Sequence, residues 1–290
     1  MDIIYRFDPS APLSNDVPKT SDEAVARLAS GNGRFADLVE HIQQSTLDPH
    51  NRKPVVIPVN PLTMGVPFVK GCVPTQAPYA LVLGCSDARV PIEHILDCRS
   101  NEVFVVRVAG NVLGLECLGS IDYAITNLKS NLRVAAVLGH TGCGAVTAAV
   151  DVYLSPMGYL DLAVSHAVRS LLDRIMLAVR GSARALDSRL STLDRTTPAY
   201  REQLIETSVF LNAAVTAYDL YREIGSLKME SVAVVYSVYD VSRTRISALP
   251  FRNDADRPTE FLPAPASAAE FMELAGQIAD RVVAAYEPQS

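Results

Sequence analysis

Apolar positions in this chain follow two periods. Four short runs, Tyr79–Leu83, Val103–Val108, Arg133–Leu138 and Val232–Val238, are rich in Val, Leu or Ala and are bounded by Gly or polar residues. Runs of that length and composition predict strands buried on both faces, as in a parallel sheet. Between them the spacing becomes helical. Leu118, Ile121, Ile125 and Leu128 share one face, and Leu204, Ser208, Leu211, Val215 and Tyr218 share another. Strands alternating with helices predict an α/β fold. The expected sheet is central and mostly parallel, with four strands, a possible edge strand, and helices on its flanks.

The outer parts of the chain read differently. Residues 7–19 hold three prolines and no periodicity, which suggests an extended arm. Thr20-Ser21-Asp22-Glu23 has the pattern of a capping box ahead of Ala24, Val25, Leu28 and Ala29. Gly31 and Gly33 predict the end of that helix, with another turn or two on Phe35, Leu38, Val39 and Ile42. The proline-rich residues 47–78 are expected to be loop. Residues 151–200 read as a helical excursion anchored by Leu171, Leu172, Ile175 and Leu177. Phe271, Leu274, Ala275, Ile278 and Val282 predict a final amphipathic helix. With no internal repeat and no low-complexity tract, the expected organisation is one domain over residues 1–290. It comprises an N-terminal arm and helices (1–45), a core (76–150), a helical insertion (151–200) and a C-terminal helical extension (255–290).

Composition narrows the function. Of 290 residues, 49% are apolar, enough for a substantial core. A net charge of -6 and no long Lys/Arg run exclude nucleic acid as the main partner. Met1–Arg6 lacks the apolar core of a signal peptide, and no stretch is long and apolar enough to span a bilayer. No membrane partner is expected, and a cytoplasmic location is. Cys72, Cys85, Cys98, Cys117 and Cys143 are five in number at irregular spacing, a poor disulfide framework. In a reducing compartment that pattern points to metal or catalytic use of some of them.

Two segments carry the chemistry: Gly84-Cys85-Ser86-Asp87-Ala88-Arg89-Val90-Pro91 and Gly139-His140-Thr141-Gly142-Cys143-Gly144-Ala145-Val146. Each begins where a predicted strand ends, and Arg107-Val108-Ala109-Gly110-Asn111 ends the second strand. Ligands in open α/β sheets gather beyond the carboxyl ends of strands, so these residues can converge. Cys85, His140 and Cys143 offer two thiolates and an imidazole, a donor set that suits one zinc ion per chain. Three protein ligands leave a fourth position for water or substrate, the pattern of a catalytic site. A helix starting near Gly142 would favour the thiolate form of Cys143. Asp87 can reach the same ion or its water, and as a fourth ligand it would close the site. Arg89 can hold that carboxylate in a bidentate pair and keep it off the metal, where the pair would orient the bound water. A bound metal lowers the pKa of its water, less so behind two thiolates, so mildly alkaline conditions are expected to favour activity.

Residues 76–146 resemble the core of a beta-class carbonic anhydrase. The resemblance rests on Cys85-Ser86-Asp87-Ala88-Arg89-Val90-Pro91, on Phe104-Val105-Val106-Arg107-Val108-Ala109-Gly110-Asn111, and on His140 to Gly144 with Ala145-Val146. Weaker similarity reaches Leu28–Phe35 and Val235–Asp240. The resemblance implies zinc on Cys85, His140 and Cys143, a catalytic Asp87–Arg89 dyad, and reversible hydration of carbon dioxide to bicarbonate and a proton by zinc-bound hydroxide. The subclass with an open zinc lines its substrate pocket with a glutamine, a phenylalanine and a tyrosine, matched here by Gln76, Phe104 and Tyr123. The family implies a homodimer or dimer of dimers, with the pocket at the subunit interface. Another subclass carries a tryptophan in an inhibitory bicarbonate site. Val82 stands there and the chain has no tryptophan, so that regulation is not expected. Residues 151–200 are longer and more irregular than the family pattern, and the last forty residues match nothing in it.

Other readings of the same residues are a carbon disulfide or carbonyl sulfide hydrolase with these ligands, and a non-catalytic interaction protein whose zinc is closed by Asp87. Cys85, Cys143 and His140 could also be two buried thiols and a core histidine. Gly139, Gly142 and Gly144 could cradle a phosphate, but not in dinucleotide or P-loop spacing. A Cys85–His140 nucleophile pair would leave Cys143 without a role. His94 is a candidate proton shuttle, although a lone helical histidine is more often ordinary surface or core. Cys72, Cys98 and Cys117 read as free thiols, and Asn111 as a turn residue.

Overall fold

The sheet forms where the sequence is most uniformly apolar. In the computed structural model, residues 3–7, 17–48, 54–59, 69–155, 157, 165–190, 195–227, 229, 231–251 and 258–286 are described. Strands β3 (Ala80–Gly84), β4 (Val103–Arg107), β5 (Val134–His140) and β6 (Ala233–Asp240) lie parallel. Together with β7 (Arg245–Ser247) they follow the order β4-β3-β5-β6-β7. The expected edge strand is therefore real, and it is antiparallel, as is the short β8 (Leu262–Pro263) against β6. Alternate residues serve opposite faces. Leu81, Leu83, Ala135, Val137, Tyr236 and Val238 enter one apolar cluster, and Ala80, Val82, Val134, Ala136 and Tyr239 the other.

One face is covered by α1 (Ser21–Leu47) and the short α2 (Ile92–Ile95). Thr20 caps α1 by accepting from the Glu23 N–H at 3.2 Å. The Glu23 carboxylate reaches back to the Lys19 N–H at 2.7 Å, one residue earlier than a standard capping box. The predicted break at Gly31 and Gly33 does not occur, because α1 is continuous. Gly31 serves close packing instead. A Cβ there would sit 2.0 Å from the Leu96 carbonyl oxygen, so only glycine lets α1 approach the α2 turn. Beside it, buried Asn32 donates to the carbonyls of Ile95 and Thr244 and accepts from the Ile246 N–H at 2.9 Å.

The opposite face carries α3 (Leu115–Asn127), α4 (Gly144–Leu154), α5 (His166–Asp187), α6 (Pro198–Ser226) and α7 (Ala268–Tyr286). The insertion and the C-terminal extension thus join the main core, since α5, α6 and α7 pack on one another and α6 lies on β5 and β6. Thr197 caps α6, with Pro198 in the first turn, where its missing N–H costs nothing. Residues Thr207–Ala217 are all buried, so the middle of this helix is enclosed rather than amphipathic. On α5, Leu172 and Ile175 are buried as expected. Leu177 is 61% exposed, a correction that follows from its position about 200° around the helix from Ile175.

Two further strands differ from the reading of arm and loop. Ile3–Phe7 forms β1, and Val55–Val59 forms β2 in parallel register with it. The remaining parts of those segments that fall on residues 8–16, 49–53 and 60–68 lie outside the described residues, as do 156, 158–164 and 191–194 of the insertion and 255–257 and 287–290 of the extension. Among the described residues, no helix is long and apolar enough to cross a membrane.

Candidate metal centre

Strand ends and one tight turn assemble the site. Cys85 follows β3 directly, and His140 is the last residue of β5, paired with Tyr239 of β6. The chain then turns through Gly142, whose φ of +66° lies in the left-handed region that glycine tolerates. Cys143 caps α4, which begins at Gly144, two residues later than expected. The two sulfurs and a ring nitrogen of His140 all lie within 4.8 Å of one another, and all three residues are buried.

His140 is oriented for ligation. Its Nδ1 lies 3.0 Å from the Thr141 carbonyl, and because a carbonyl can only accept, Nδ1 carries the proton. Nε2 is then the lone-pair nitrogen. It is buried without a hydrogen-bond partner. A buried polar atom left unpaired is costly unless something binds it, and backbone-fixed imidazoles are the usual metal ligands. The sulfurs support the same conclusion. In the metal-free chain the Cys85 thiol is lowered to about 4, chiefly because Cys143 donates to it, with help from the backbone N–H groups of Asp87 and Gly110 against opposing burial. Cys143 moves upward, because it faces the Cys85 thiolate and is itself buried. The pair sheds one proton readily and holds the other. Two sulfurs and a nitrogen at this separation fit the soft, tetrahedral requirements of zinc.

Asp87 stands beside the triad. Arg89 grips its carboxylate twice, with Nε to Oδ1 at 3.0 Å and Nη2 to Oδ2 at 2.7 Å, and the Arg89 backbone N–H adds a third bond to Oδ1 at 2.9 Å. These bonds hold the carboxyl well below the usual carboxylate range. Oδ2 lies 3.8 Å from His140 Nε2, beyond hydrogen-bond distance. Arg89 Nη2 also donates to the Gly142 carbonyl at 3.1 Å, which ties the two ligand loops together.

Arg107 had no assigned role, although it stands in a quoted motif. At the end of β4 it clamps the first ligand loop, donating from Nε to the Cys85 carbonyl at 2.9 Å and from Nη2 to the Asp87 carbonyl at 2.6 Å. Its visible signal was a charge ending an apolar strand run. Gly110 contributes its backbone N–H to Cys85 Sγ at 3.4 Å. The insertion reaches the same loop through Arg174, which donates to the Leu113 carbonyl at 2.8 Å.

Gln76 is exposed, Phe104 is half-buried against the main core from β4, and Tyr123 on α3 is 52% exposed. His94 is surface. Cys72, Cys98 and Cys117 are free thiols, with Cys98 raised to about 12 mainly by burial. Asn111 sits in the turn after β4, its N–H bonded to the Val108 carbonyl at 3.0 Å. Gly139 is explained by packing, since a Cβ there would press on Ala213 and Val238 at 3.3 and 3.4 Å.

A parallel α/β sheet with a Cys–His–Cys cluster at its strand ends defines a class of metalloprotein, and comparison with known proteins identifies the family. The carbonic anhydrase family model matches residues 80–246. The chain belongs to this family of enzymes, in its beta class. It is 36% identical over 168 residues to carbonic anhydrase 2 of Mycobacterium tuberculosis, covering 57% of this chain and 72% of that protein. It is 45% identical over 100 residues to a carbonic anhydrase of Mycolicibacterium smegmatis, covering 33% and 48%. Among solved structures, the tetrameric beta-carbonic anhydrases of Sordaria macrospora align at 23% identity over 60% of this chain and 81% of theirs, with a TM-score of 0.44.

Proposed function

We propose that this protein catalyses the reversible hydration of carbon dioxide to bicarbonate and a proton, with one zinc per chain on Cys85, His140 and Cys143. The observation that carries the reading is the unpartnered, buried Nε2 of His140 beside two buried sulfurs, within the span that matches the family. A zinc ion there would supply Lewis-acid chemistry, which brings the pKa of bound water from about 15.7 toward about 7. The chain's own groups do the rest. Asp87, kept ionised by Arg89, accepts a hydrogen bond from the attacking oxygen and orients it. Arg89 holds both carboxylate oxygens beside the ligands, and Arg107 keeps the loop carrying Cys85 and Asp87 in place.

Gln76, Phe104 and Tyr123 form the substrate pocket in a homodimer or dimer of dimers, where a second chain covers what one chain leaves open. The exposure of Tyr123 and Leu115 on α3 supports that arrangement. Cys72, Cys98 and Cys117, unpaired beside the two metal-ligand cysteines, support a reducing, cytoplasmic setting. Stopped-flow hydration of carbon dioxide by zinc-replete protein tests the activity. A rate above the buffer blank is expected, and a rate equal to it overturns the proposal. Hydrogen sulfide release from carbon disulfide without carbon dioxide hydration would reassign the substrate.

A further inference from the structure

We infer that Asn212 on α6 is a positioning residue for the metal centre, acting through Gly110 on Cys85. This rests on the zinc reading above. Asn212 lies in the wholly buried stretch Thr207–Ala217 and is 2% exposed. A carboxamide in such a place is unfavourable unless it is hydrogen-bonded. Its Nδ2 donates to the Gly110 carbonyl at 2.8 Å, across 102 residues of chain.

Gly110 is held tightly around that bond. Its φ is +69°, and a Cβ on it would lie 2.8 Å from Ile175 Cδ1 of α5 and 3.2 Å from Ala145 Cβ of α4. Three helices therefore fix one glycine. The same residue points its N–H at Cys85 Sγ, 3.4 Å away. With the carbonyl pinned by Asn212 and the backbone in the left-handed region, that N–H has little freedom. A hydrogen bond to a thiolate withdraws charge from sulfur and orients its lone pairs. Partners of this kind tune a ligand's hold on its metal. Ser208 supplies an internal contrast. It lies one turn earlier on α6 and is equally buried, and its Oγ has no partner.

The test compares Asn212→Leu, close in shape to asparagine, and Asn212→Ala, neither of which can donate, with Ser208→Ala. Zinc affinity is measured by chelator competition, and the thiolate-to-cobalt band is recorded on cobalt-substituted protein. Both Asn212 variants should bind zinc about 10- to 100-fold more weakly. Their band should move to longer wavelength, as expected for a more electron-rich sulfur. Ser208→Ala should match wild type in both. Unchanged affinity and band in the Asn212 variants overturn the assignment, even if their stability falls. Wild-type protein that binds no zinc overturns the metal reading instead. One measurement needs no variant. With cadmium in place of zinc, the Gly110 amide proton should show scalar coupling to the metal through Cys85 Sγ, and its absence in folded, loaded protein overturns the link.

Discussion

Replacing Gly110 with alanine should destabilise the protein by a predictable and partly recoverable amount. Two costs arise. An L-residue at φ +69° carries a penalty of about 1–2 kcal/mol. The new Cβ would meet Ile175 Cδ1 at 2.8 Å, and overpacking a core of this kind costs about 1–3 kcal/mol. Gly110→Ala should therefore cost about 2–5 kcal/mol. Ile175→Val removes the Cδ1 atom itself. Alone it should cost about 0.5–1.5 kcal/mol. Combined with Gly110→Ala it relieves the shortest contact, leaving Ala145 Cβ at 3.2 Å as the nearest neighbour. The double variant should then be about 1–2 kcal/mol more stable than additivity predicts. Urea unfolding followed by circular dichroism, with chelator present so that metal affinity does not enter, measures all three. Additivity within about 0.5 kcal/mol would refute the packing argument. A neutral Gly110→Ala would refute both halves.

Four other outcomes follow from the same geometry. Asp87→Asn should keep one zinc per chain by elemental analysis and lose carbon dioxide hydration by about 10²-fold or more, the scale of a lost proton-accepting group. Asn32→Ala should cost about 2–4 kcal/mol in urea unfolding, because the buried Ile246 N–H loses its acceptor and two carbonyls lose a donor. In metal-free protein the thiolate absorbance of Cys85 should persist at pH 7 and disappear with a midpoint near pH 4. Its folded value lies below the ordinary 9.0, so the unfolded chain binds the extra proton between these limits. This thiol's contribution is thus present above pH 9 and declines as pH falls toward 4, so the stability difference between metal-free wild type and Cys85→Ala should shrink on acidification, and a difference that grew across that window would contradict the assignment. Tyr123→Ala should lower turnover and weaken self-association in sedimentation while leaving zinc content unchanged.

The legible parts of the sequence were those governed by local pattern. The four parallel strands are legible because β3, β5 and β6 are buried on both faces and β4 is partly so, which leaves short apolar runs. Cys85, His140 and Cys143 could be read because parallel strands end on one side of a sheet, and their residue types leave few chemistries open. The parts that were missed depend on distant partners. Gly31 reads as a helix breaker by propensity, yet it serves the approach of α1 to the Leu96 carbonyl. Strands β1 and β2 escaped notice because proline interrupts β2 and the two partners are some fifty residues apart. Leu177 reads as an apolar anchor like its neighbours, although its angle on α5 faces outward. Asn212 is hidden because α6 is buried on every side from Thr207 to Ala217, so its apolar stripe shows only part of the packed surface. The one available signal was an amide within Val209-Phe210-Leu211-Asn212-Ala213-Ala214-Val215, whose acceptor lies 102 residues away.

X-ray absorption at the zinc edge of freshly purified protein tests the metal assignment most directly. One zinc per chain is expected, with two sulfurs at about 2.3 Å and a histidine nitrogen at about 2.0–2.1 Å. Protein without zinc, or zinc with fewer than two sulfur neighbours, would contradict it.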